Sequence, residues 1–451
     1  MDATEKIAHF VVDLEYEKIP PKAVEVAKTA LLDCLGVTLA GSQEECAKIC
    51  AQIARQEAGA GEATVFAQGF KSSAIQAAFA NGTAAHALDY DHSFYMGQPT
   101  AGLIPAIIAL GESVGVRGRD LLEAYVVGFE VTGKIVKPIP NEARGSWHST
   151  GVLGTLAAAL ACAKLLKLDF EKVQMALGMS TSMASGIVCN YGTMTKPLHS
   201  GLAARNGVLA AKLAQSGYTA NSHALEAENG FLDAYFSSSP ANTASLDELG
   251  QSYELIEKGI TIKGYPCGGL THSAIDAVLE MRARHGIAPD MVESIDVDVT
   301  KHTYHRIVFR IPQTGLQGKF SMGYLLARAM IDGKVFLDAF TDSAVRDQRV
   351  LRLAEKVNMR LDPNLRDSVE PNRPCRVTIR LKNGQNFSRQ VDHAKGSPEA
   401  PLTTNELEEK FVECSRRAIS EKAIGQILGY VGRIETLADI RPLCQLLMGG
   451  N

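Results

Sequence analysis

Three basic side chains stand where the sequence predicts the starts of helices: His148, Lys196 and His272. Pro197 follows Lys196, and apolar residues then recur at helical spacing. A helix start carries partial positive charge and unpaired N–H groups, so a cation there is disfavoured by a few tenths to about 1 kcal/mol. The arrangement becomes favourable when an anion lies between the cation and the helix. The three positions together predict a site for a polyanionic small molecule.

Acidic residues follow another predicted helix, where Asp89, Asp91 and His92 succeed an alanine-rich stretch. A carboxylate near the C-terminal end of a helix opposes the helix dipole, which indicates a positive partner such as an imidazole. A solvated acidic loop is the alternative. Oxygen and nitrogen ligands for a metal are also present, but no second ligand cluster has a recognised spacing, so we expect no bound metal.

Each basic residue also has an ordinary structural alternative. The helix dipole should lower the pKa of His148, which would keep the ring neutral and useful as a base. It could equally be a simple hydrogen-bonding residue at a helix start, and Lys196 a surface lysine. Ser273 and Asp276, next to His272, approximate a capping box. The sequence has no phosphate-binding loop, dinucleotide fingerprint or nucleophile elbow.

Composition narrows the class of protein. The chain has 451 residues, 46% of them hydrophobic, and a formal net charge of -4, which argues against a nucleic-acid partner. Its nine cysteines lack the spacing of a disulfide scaffold or zinc site. Cysteines that do not form disulfides are typical of proteins in the reducing cytosol. The N-terminus has no signal-peptide core, and the most apolar stretch, residues 151–168, is broken by Lys164. We expect a cytoplasmic protein without a membrane partner.

The elements that must position these residues fall into two patterns. Helical periodicity dominates the first 260 or so residues, with predicted helices at 21–40, 73–87, 100–114, 119–136, 151–168 and 198–215. Strand alternation follows at 259–263, 292–299, 376–381 and 386–391, the last two joined by Asn383-Gly384 as a hairpin. Helices are predicted at 320–331, 344–357 and 407–418. We therefore expect a large, discontinuous all-helical domain (1–263 and 396–451) and a smaller α+β lid domain (264–395).

A series of short motifs runs through these predicted elements. They are NGTAAHALDYD (81–91), GFEV (128–131), GVLGT (151–155) after His148, TKPLHSG (195–201), KGYPC (263–267), TH (271–272), KFS (319–321), GSP (396–398) and PLT (401–403). In these motifs, taken in order, the chain resembles the MmgE/PrpD family over nearly its whole length. The resemblance implies a mainly helical fold with an α+β lid, a homodimer, and an active site between the domains that uses no metal or organic cofactor. The family includes 2-methylcitrate dehydratases, cis-aconitate decarboxylases and iminodisuccinate epimerases, which act on small polycarboxylates.

By this resemblance the decarboxylase site carries over onto five residues of this sequence. Ser93 stands where a threonine is common, and Gln98-Pro99-Thr100 stands where the family often has His-Pro-Ser. A neutral amide can hydrogen-bond a carboxylate but cannot shuttle a proton near neutral pH. A substrate other than cis-aconitate or 2-methylcitrate therefore stays open. The five residues are Asp89, Ser93, His148, Lys196 and His272.

These residues support a cofactor-independent lyase or isomerase that works beside a carboxylate of a small di- or tricarboxylate. Lys196 and His272 would bind carboxylate and stabilise developing charge, and His148 would be the general acid or base. Asp89 would orient an imidazole, while Gln98, with Ser93, would contact substrate. The alternative is a catalytically lapsed family member that binds a small anion, for which Gln98 is the main support.

Overall fold

The computed structural model describes residues 1–57, 59–95, 97–140, 145–236, 242–366 and 373–449. The chain divides into two compact units: residues 1–260 with 404–451, and residues 261–403. The first unit is built mainly from helices, and the second combines a four-stranded sheet with helices. The predicted fold class, mainly α with a smaller α+β part, is confirmed.

Helices form nearly all of the regular structure described in the first unit. The predicted helices correspond to α2, α4 to α7 and α9, with ends shifted by a few residues. One short antiparallel hairpin, β1 (Ala63–Val65) with β2 (Phe70–Ser72), was not predicted. The helices are α1 (Ala3–Asp13), α2 (Pro21–Gly41), α3 (Glu45–Gln56), α4 (Ala74–His86), α5 (Thr100–Val114), α6 (Gly118–Val136), α7 (Ser149–Leu165), α8 (Phe170–Met183), α9 (Thr195–Gln215), α10 (Phe231–Phe236) and α11 (Glu254–Glu257).

Small residues let three of these helices approach one another closely. A Cβ atom added at Gly201 of α9 would lie 2.1 Å from Thr83 Oγ1 and 2.6 Å from the Phe79 carbonyl oxygen, both on α4. One added at Gly207 would lie 2.3 Å from Ala158 Cβ on α7. Only hydrogen fits at these points, because interiors are packed to near-crystalline density. The close approach brings the end of α4 near the starts of α7 and α9.

The helix α7 is a buried core helix, as the sequence predicts. Nearly all of its side chains are buried, and Lys164, near its end, donates hydrogen bonds to the backbone oxygens of Val12 and Leu14. In the described part of the chain, no helix combines the length and apolar character that crossing a membrane requires.

The C-terminal segment of the first unit contributes helices α17 (Thr404–Ser415), α18 (Glu421–Gly432) and α19 (Arg441–Leu447). Lys410 of α17 lies 2.6 Å from Asp33 Oδ1 on α2 and donates a hydrogen bond to the Tyr90 carbonyl oxygen at 3.0 Å. Burial alone would raise the pKa of Asp33, but the charge of Lys410 and the hydrogen bond from His92 outweigh it and lower that pKa. This buried ion pair fixes the backbone that follows α4.

The second unit contains a sheet in the order β4-β3-β5-β6, with β3 parallel to β4 and antiparallel to β5. Buried and more exposed residues alternate along β5, and Gly384 at the β5–β6 turn has φ +86°. The predicted Asn-Gly hairpin is therefore confirmed. The elements are α12 (His272–His285), β3 (Val292–Val299), α13 (Lys301–Arg306), α14 (Gly315–Gly318), α15 (Met322–Asp332), α16 (Gln348–Ala354), β4 (Val357–Leu361), β5 (Cys375–Leu381) and β6 (Asn386–Val391).

Two predictions of local structure are wrong. Residues 259–263 do not form a strand: Gly259 has φ +68°, and the Ile262 N–H donates a single hydrogen bond to the Gly396 carbonyl oxygen. The single helix predicted at 344–357 is instead a 3-10 helix at 344–346 followed by α16 at 348–354, and Val357 begins β4, where it pairs with Ile295. A segment becomes a strand only where a distant segment pairs with its backbone, and local periodicity does not contain that information.

We predict that Gly201→Ala destabilises the first unit by about 1–3 kcal/mol or more, because the added methyl group overlaps backbone and side-chain atoms of α4. The measurement is the free energy of unfolding in urea. Gly425→Ala is the matched control, since Gly425 lies inside α18 and a Cβ there meets nothing within 4 Å. It should stabilise by roughly 0.5–1 kcal/mol. Equal effects of the two substitutions would contradict the packing argument.

Candidate active site

Four ionisable side chains of the first unit converge where α4 ends and where α7 and α9 begin. His86 is the last residue of α4, and His148 is the residue immediately before α7. Lys196 and His199 lie in the first turns of α9. The predicted placement of His148 and Lys196 at helix starts is confirmed, although α9 begins at Thr195, so that Pro197 is its third residue and not its first.

The rings of His148 and His199 are hydrogen-bonded to each other through their Nδ1 atoms at 2.9 Å. Both side chains are buried. Burial lowers the pKa of His148 far below its usual range, and the nearby charges of His86 and Lys196 lower it further. Burial and the same two groups also lower the pKa of His199. Both rings are therefore neutral near pH 7, which suits a base more than an acid.

His86 and Asp91 form a buried imidazole–carboxylate pair. His86 Nδ1 lies 2.9 and 3.1 Å from the two carboxylate oxygens of Asp91. An ionised carboxylate only accepts hydrogen bonds, so Nδ1 carries the proton. Within the described residues, the buried His86 Nε2 has no hydrogen-bond partner. The His86 ring centroid lies 5.4 Å from that of His148, so the pair borders the histidine contact directly.

Lys196 and Asp89 form an ion pair on the more exposed side of the cluster. The ammonium lies 2.8 Å from Asp89 Oδ1, and the two side chains are 20% and 21% exposed. Asp89 has φ +54°, a conformation uncommon for residues other than glycine. The anion that offsets the cation at the start of α9 is thus a carboxylate of the protein itself. The imidazole partner that we expected for Asp89 belongs to Asp91 in this structure, through His86.

The loop between α4 and α5 is held on several sides. His92 bonds Asp33 through Nδ1 and Thr100 Oγ1 through Nε2, both at 2.9 Å. Tyr95 donates a hydrogen bond to Glu254 Oε2 at 2.7 Å, and Glu254 in turn pairs with the buried Lys134 at 2.8 Å. The loop is therefore fixed by buried charged groups that lie outside the histidine cluster.

The same loop carries Ser93, which the family resemblance selects, and Gln98, which stands where the family often has a histidine. The Ser93 residue is buried. Gln98 contacts Thr150, at the start of α7, through two hydrogen bonds: its N–H donates to Thr150 Oγ1 at 3.1 Å, and its side-chain Oε1 accepts from that hydroxyl at 3.0 Å. The amide oxygen of Gln98 is thus already engaged two residues from His148, and its NH2 group supplies the hydrogen-bond donors.

His272 belongs to the second unit and is the first residue of α12. Its Nε2 lies 3.3 Å from the Cys267 carbonyl oxygen, and its ring makes an edge contact with Tyr265 at 5.2 Å between centroids. The predicted capping box is wrong, because Thr271 occupies the N-cap position. Asp276 instead accepts hydrogen bonds from the Tyr265 hydroxyl at 2.6 Å and from the Lys395 N–H at 2.7 Å.

The acidic motif does not gather its side chains around one point. Asp89 contacts Lys196, Asp91 contacts His86, and His92 contacts Asp33. In the described residues, groups with three ligand-type side chains close together occur elsewhere, and neither includes a histidine of this cluster: Asp2, His223 and Glu226, and Glu248, Glu254 and Glu257. The second group faces the ammonium groups of Lys134 and Lys137.

Sequence reasoning missed the partners inside the cluster. It did not single out His86 or His199. One signal was present: His199 follows Lys196 by three positions, which places these two side chains on the same side of a helix.

Comparisons with known proteins match one family along most of the chain. The model of the MmgE/PrpD N-terminal domain matches residues 5–244, and that of the C-terminal domain matches residues 265–429. The cis-aconitate decarboxylase of Homo sapiens is 29% identical over 464 residues, covering 99% of this chain and 94% of that protein. The Mus musculus enzyme of the same name is 28% identical, covering 99% and 93%. A cis-aconitate decarboxylase of Aspergillus terreus is 27% identical, covering 98% and 95%.

The neutral state of His148 predicts a pH dependence of stability. Its pKa is lowered from an ordinary 6.5, so below that pH the unfolded chain binds a proton that the folded protein does not. The stability associated with neutral His148 is present above pH 6.5 and is lost as the pH falls, by about 1 kcal/mol between pH 6.5 and 5.5. Urea unfolding at both pH values measures the loss, and His148→Asn, which does not titrate, should lack it. An identical pH dependence in both proteins would contradict a neutral His148.

Proposed function

Because the chain belongs to the MmgE/PrpD family, we propose that it is a lyase or isomerase that acts without a cofactor on a small di- or tricarboxylate. The reaction would make or break a bond at a carbon next to a carboxylate, by dehydration, decarboxylation or epimerisation. The similar proteins are named decarboxylases, and decarboxylases are lyases. The observation that carries the proposal is the Lys196–Asp89 ion pair beside two buried, neutral histidines.

Lys196 is suited to bind the carboxylate of a substrate. An ammonium group has three N–H donors, and the Asp89 contact uses one of them. A substrate carboxylate beside Lys196 would also face the N–H groups at the start of α9, where negative charge is stabilised. When the neighbouring carbon loses a proton or carbon dioxide, negative charge spreads onto that carboxylate. Fixed positive groups stabilise this charge without rearranging.

His148 is suited to exchange a proton with the reacting carbon. Its Nδ1 is engaged by His199, so Nε2 is the atom that would receive or give the proton. The lowered pKa keeps the His148 ring neutral across the physiological pH range, but it also weakens the ring as a base, because the best catalytic pKa lies near the working pH. Asp89 would keep Lys196 in place and moderate its charge near His148.

The remaining proposed contacts set the choice of substrate. Ser93 and the NH2 group of Gln98 would donate hydrogen bonds to substrate oxygens. By the family resemblance, His272 would bind a further carboxylate. Gln98 cannot carry a proton, so the chemistry at that position differs from that of a family member with histidine there. This difference favours a polycarboxylate other than cis-aconitate, and it is also what supports the alternative of a lapsed enzyme that only binds an anion.

A panel of di- and tricarboxylates in D2O would test the reaction class. Proton NMR should detect deuterium incorporation, loss of water or loss of carbon dioxide with at least one compound, and each signal identifies a different reaction. Turnover should persist after exhaustive treatment with chelator, since no metal is required. Binding of a carboxylate without turnover or exchange would favour the lapsed enzyme.

The family resemblance also leads us to expect a cytoplasmic homodimer, and light scattering would measure its mass.

Lys196→Met should lower kcat/KM strongly, because it removes the charge that binds the reacting carboxylate and breaks the ion pair with Asp89. We expect a loss of at least about 100-fold, comparable to the removal of one charge-stabilising donor. Lys212→Met is the matched control, since Lys212 lies near the other end of α9. The control should keep its activity. An unchanged kcat/KM in Lys196→Met would exclude contact between this ammonium and the reacting anion.

His148→Ala should lower kcat by about 10²–10⁴-fold while the fold is retained, because a single general base or acid contributes that much. Circular dichroism and the elution volume would establish that the variant is folded. Near-normal turnover in a folded His148→Ala protein would remove His148 from the mechanism and leave Lys196 to be judged separately.

A further inference from the structure

We propose that His148 and His199 work as one proton-holding pair, in which His199 accepts the Nδ1 proton of His148 when His148 Nε2 takes a proton from the substrate. The inference deepens the proposed function and rests on it. His199 acts only through His148 in this scheme, so it positions the base and also shares its proton.

The geometry of the contact requires two different tautomers. A neutral imidazole has one N–H and one nitrogen lone pair. The two Nδ1 atoms lie 2.9 Å apart, a hydrogen-bonding distance, so one ring must donate and the other must accept. When His148 donates, its Nε2 has a lone pair and can act as a base. His199 then carries its own proton on Nε2 and accepts at Nδ1.

The backbone is shaped to hold the two rings together. The His148 N–H donates to the Gly186 carbonyl oxygen at 3.0 Å. Gly186 has φ +120°, and a Cβ there would lie 2.9 Å from His199 Cγ and 3.0 Å from its Nδ1. On α7, a Cβ added at Gly151 would lie 3.1 Å from His199 Cβ. Two glycines thus make room for the His199 ring, and one of them also fixes the backbone of His148.

Every proton of this step is accounted for by the substrate and the two histidines. The substrate C–H bond breaks, its electron pair stays on the substrate, and the proton forms a bond to His148 Nε2. The Nδ1–H bond of His148 breaks, and that proton bonds to the lone pair of His199 Nδ1. His148 ends neutral with a proton on Nε2, His199 carries one positive charge, and the substrate has gained one negative charge. Protonation of a carbanion after loss of carbon dioxide follows the reverse course, and it requires that the pair has first taken up one proton from solvent water.

The surroundings explain why a single ring would be a poor proton holder here. The charged or titratable neighbours are Lys196 and Asp89 on one side and the His86–Asp91 pair on another, with the Tyr191 ring at 5.0 Å from His148. Burial, His86 and Lys196 disfavour a second proton on His148 and on His199 alike, so neither ring holds the charge well by itself. Sharing the charge between two hydrogen-bonded rings spreads it over a larger volume, and the titration then belongs to the pair.

Two substitutions separate proton sharing from simple positioning. His199→Asn places an amide near the position of Nδ1, where it can still hydrogen-bond His148, but it cannot hold a proton near neutral pH. His199→Leu removes both abilities. We expect both variants to lose at least about tenfold in kcat, within the range for acid–base catalysis. The His199→Asn variant should nevertheless keep the tautomer of His148. Recovery of normal kcat in His199→Asn would overturn proton sharing and leave positioning alone.

Nitrogen-15 NMR of histidine-labelled protein gives a readout that needs no substrate. We expect one Nδ1 of the pair to be protonated and the other not, with titration of either ring changed when the other is substituted. Independent titration of both rings near pH 6.5 would overturn the inference even if turnover is found. Coupled titration in a protein that turns over no carboxylate would instead count against the proposed function and leave the pair intact.

Glycine variants test whether the backbone at Gly186 holds the rings of His148 and His199 together. Gly186→Ala should separate the two rings, abolish the coupled titration and lower kcat at least about tenfold. Gly192→Ala is the matched control, because Gly192 also has a positive φ, +84°, but a Cβ there meets nothing within 4 Å. The control should keep both the coupling and the activity. Equal behaviour of the two variants would contradict a steric role for Gly186.

Discussion

The close approach of α4, α7 and α9 is the constraint on which the rest of the first unit depends. Glycine and alanine at the crossing points let the helix backbones come within contact of each other, as at Gly201 against Thr83 and Gly207 against Ala158. The contact of Gly201 with Thr83 lies near the start of α9 and the end of α4, and Gly151 near the start of α7 lies against His199, so the residues at those ends converge. A histidine that finishes one helix and basic residues that begin two others then share one small volume, although they are far apart in sequence.

That convergence sets the electrostatics of the site. Buried imidazoles cannot easily take up a second proton, which lowers the pKa of His148 and His199. Among the described residues, Lys196 with Asp89 and His86 with Asp91 are two cation–carboxylate or imidazole–carboxylate pairs that border the same volume. In the proposed function, a carboxylate that binds Lys196 would change the electrostatic balance for both histidines at once.

Much of the helical architecture could be predicted because apolar residues recur at helical spacing within each segment. The starts of α7 and α9, and with them the placement of His148 and Lys196, follow from apolar spacing and proline. Contacts between distant segments could not be predicted in this way. Nothing local indicates that Asp91 binds His86 or that Asp89 binds Lys196, because both carboxylates sit in one short acidic motif. Strand β4 was missed for the same reason, since Val357 extends only by pairing with β3.

The return of the chain to its first unit has a consequence for synthesis on the ribosome. Lys410, which secures the backbone at Tyr90, lies 320 residues later in the sequence. Translation proceeds at roughly 5–20 residues per second, so the nascent helical segment exists for many seconds before this lysine is made. During that time Asp33 lacks its buried cationic partner, and the loop that carries Asp89 lacks an anchor. The acidic loop should therefore reach its final form only after Lys410 has been made and has left the ribosome.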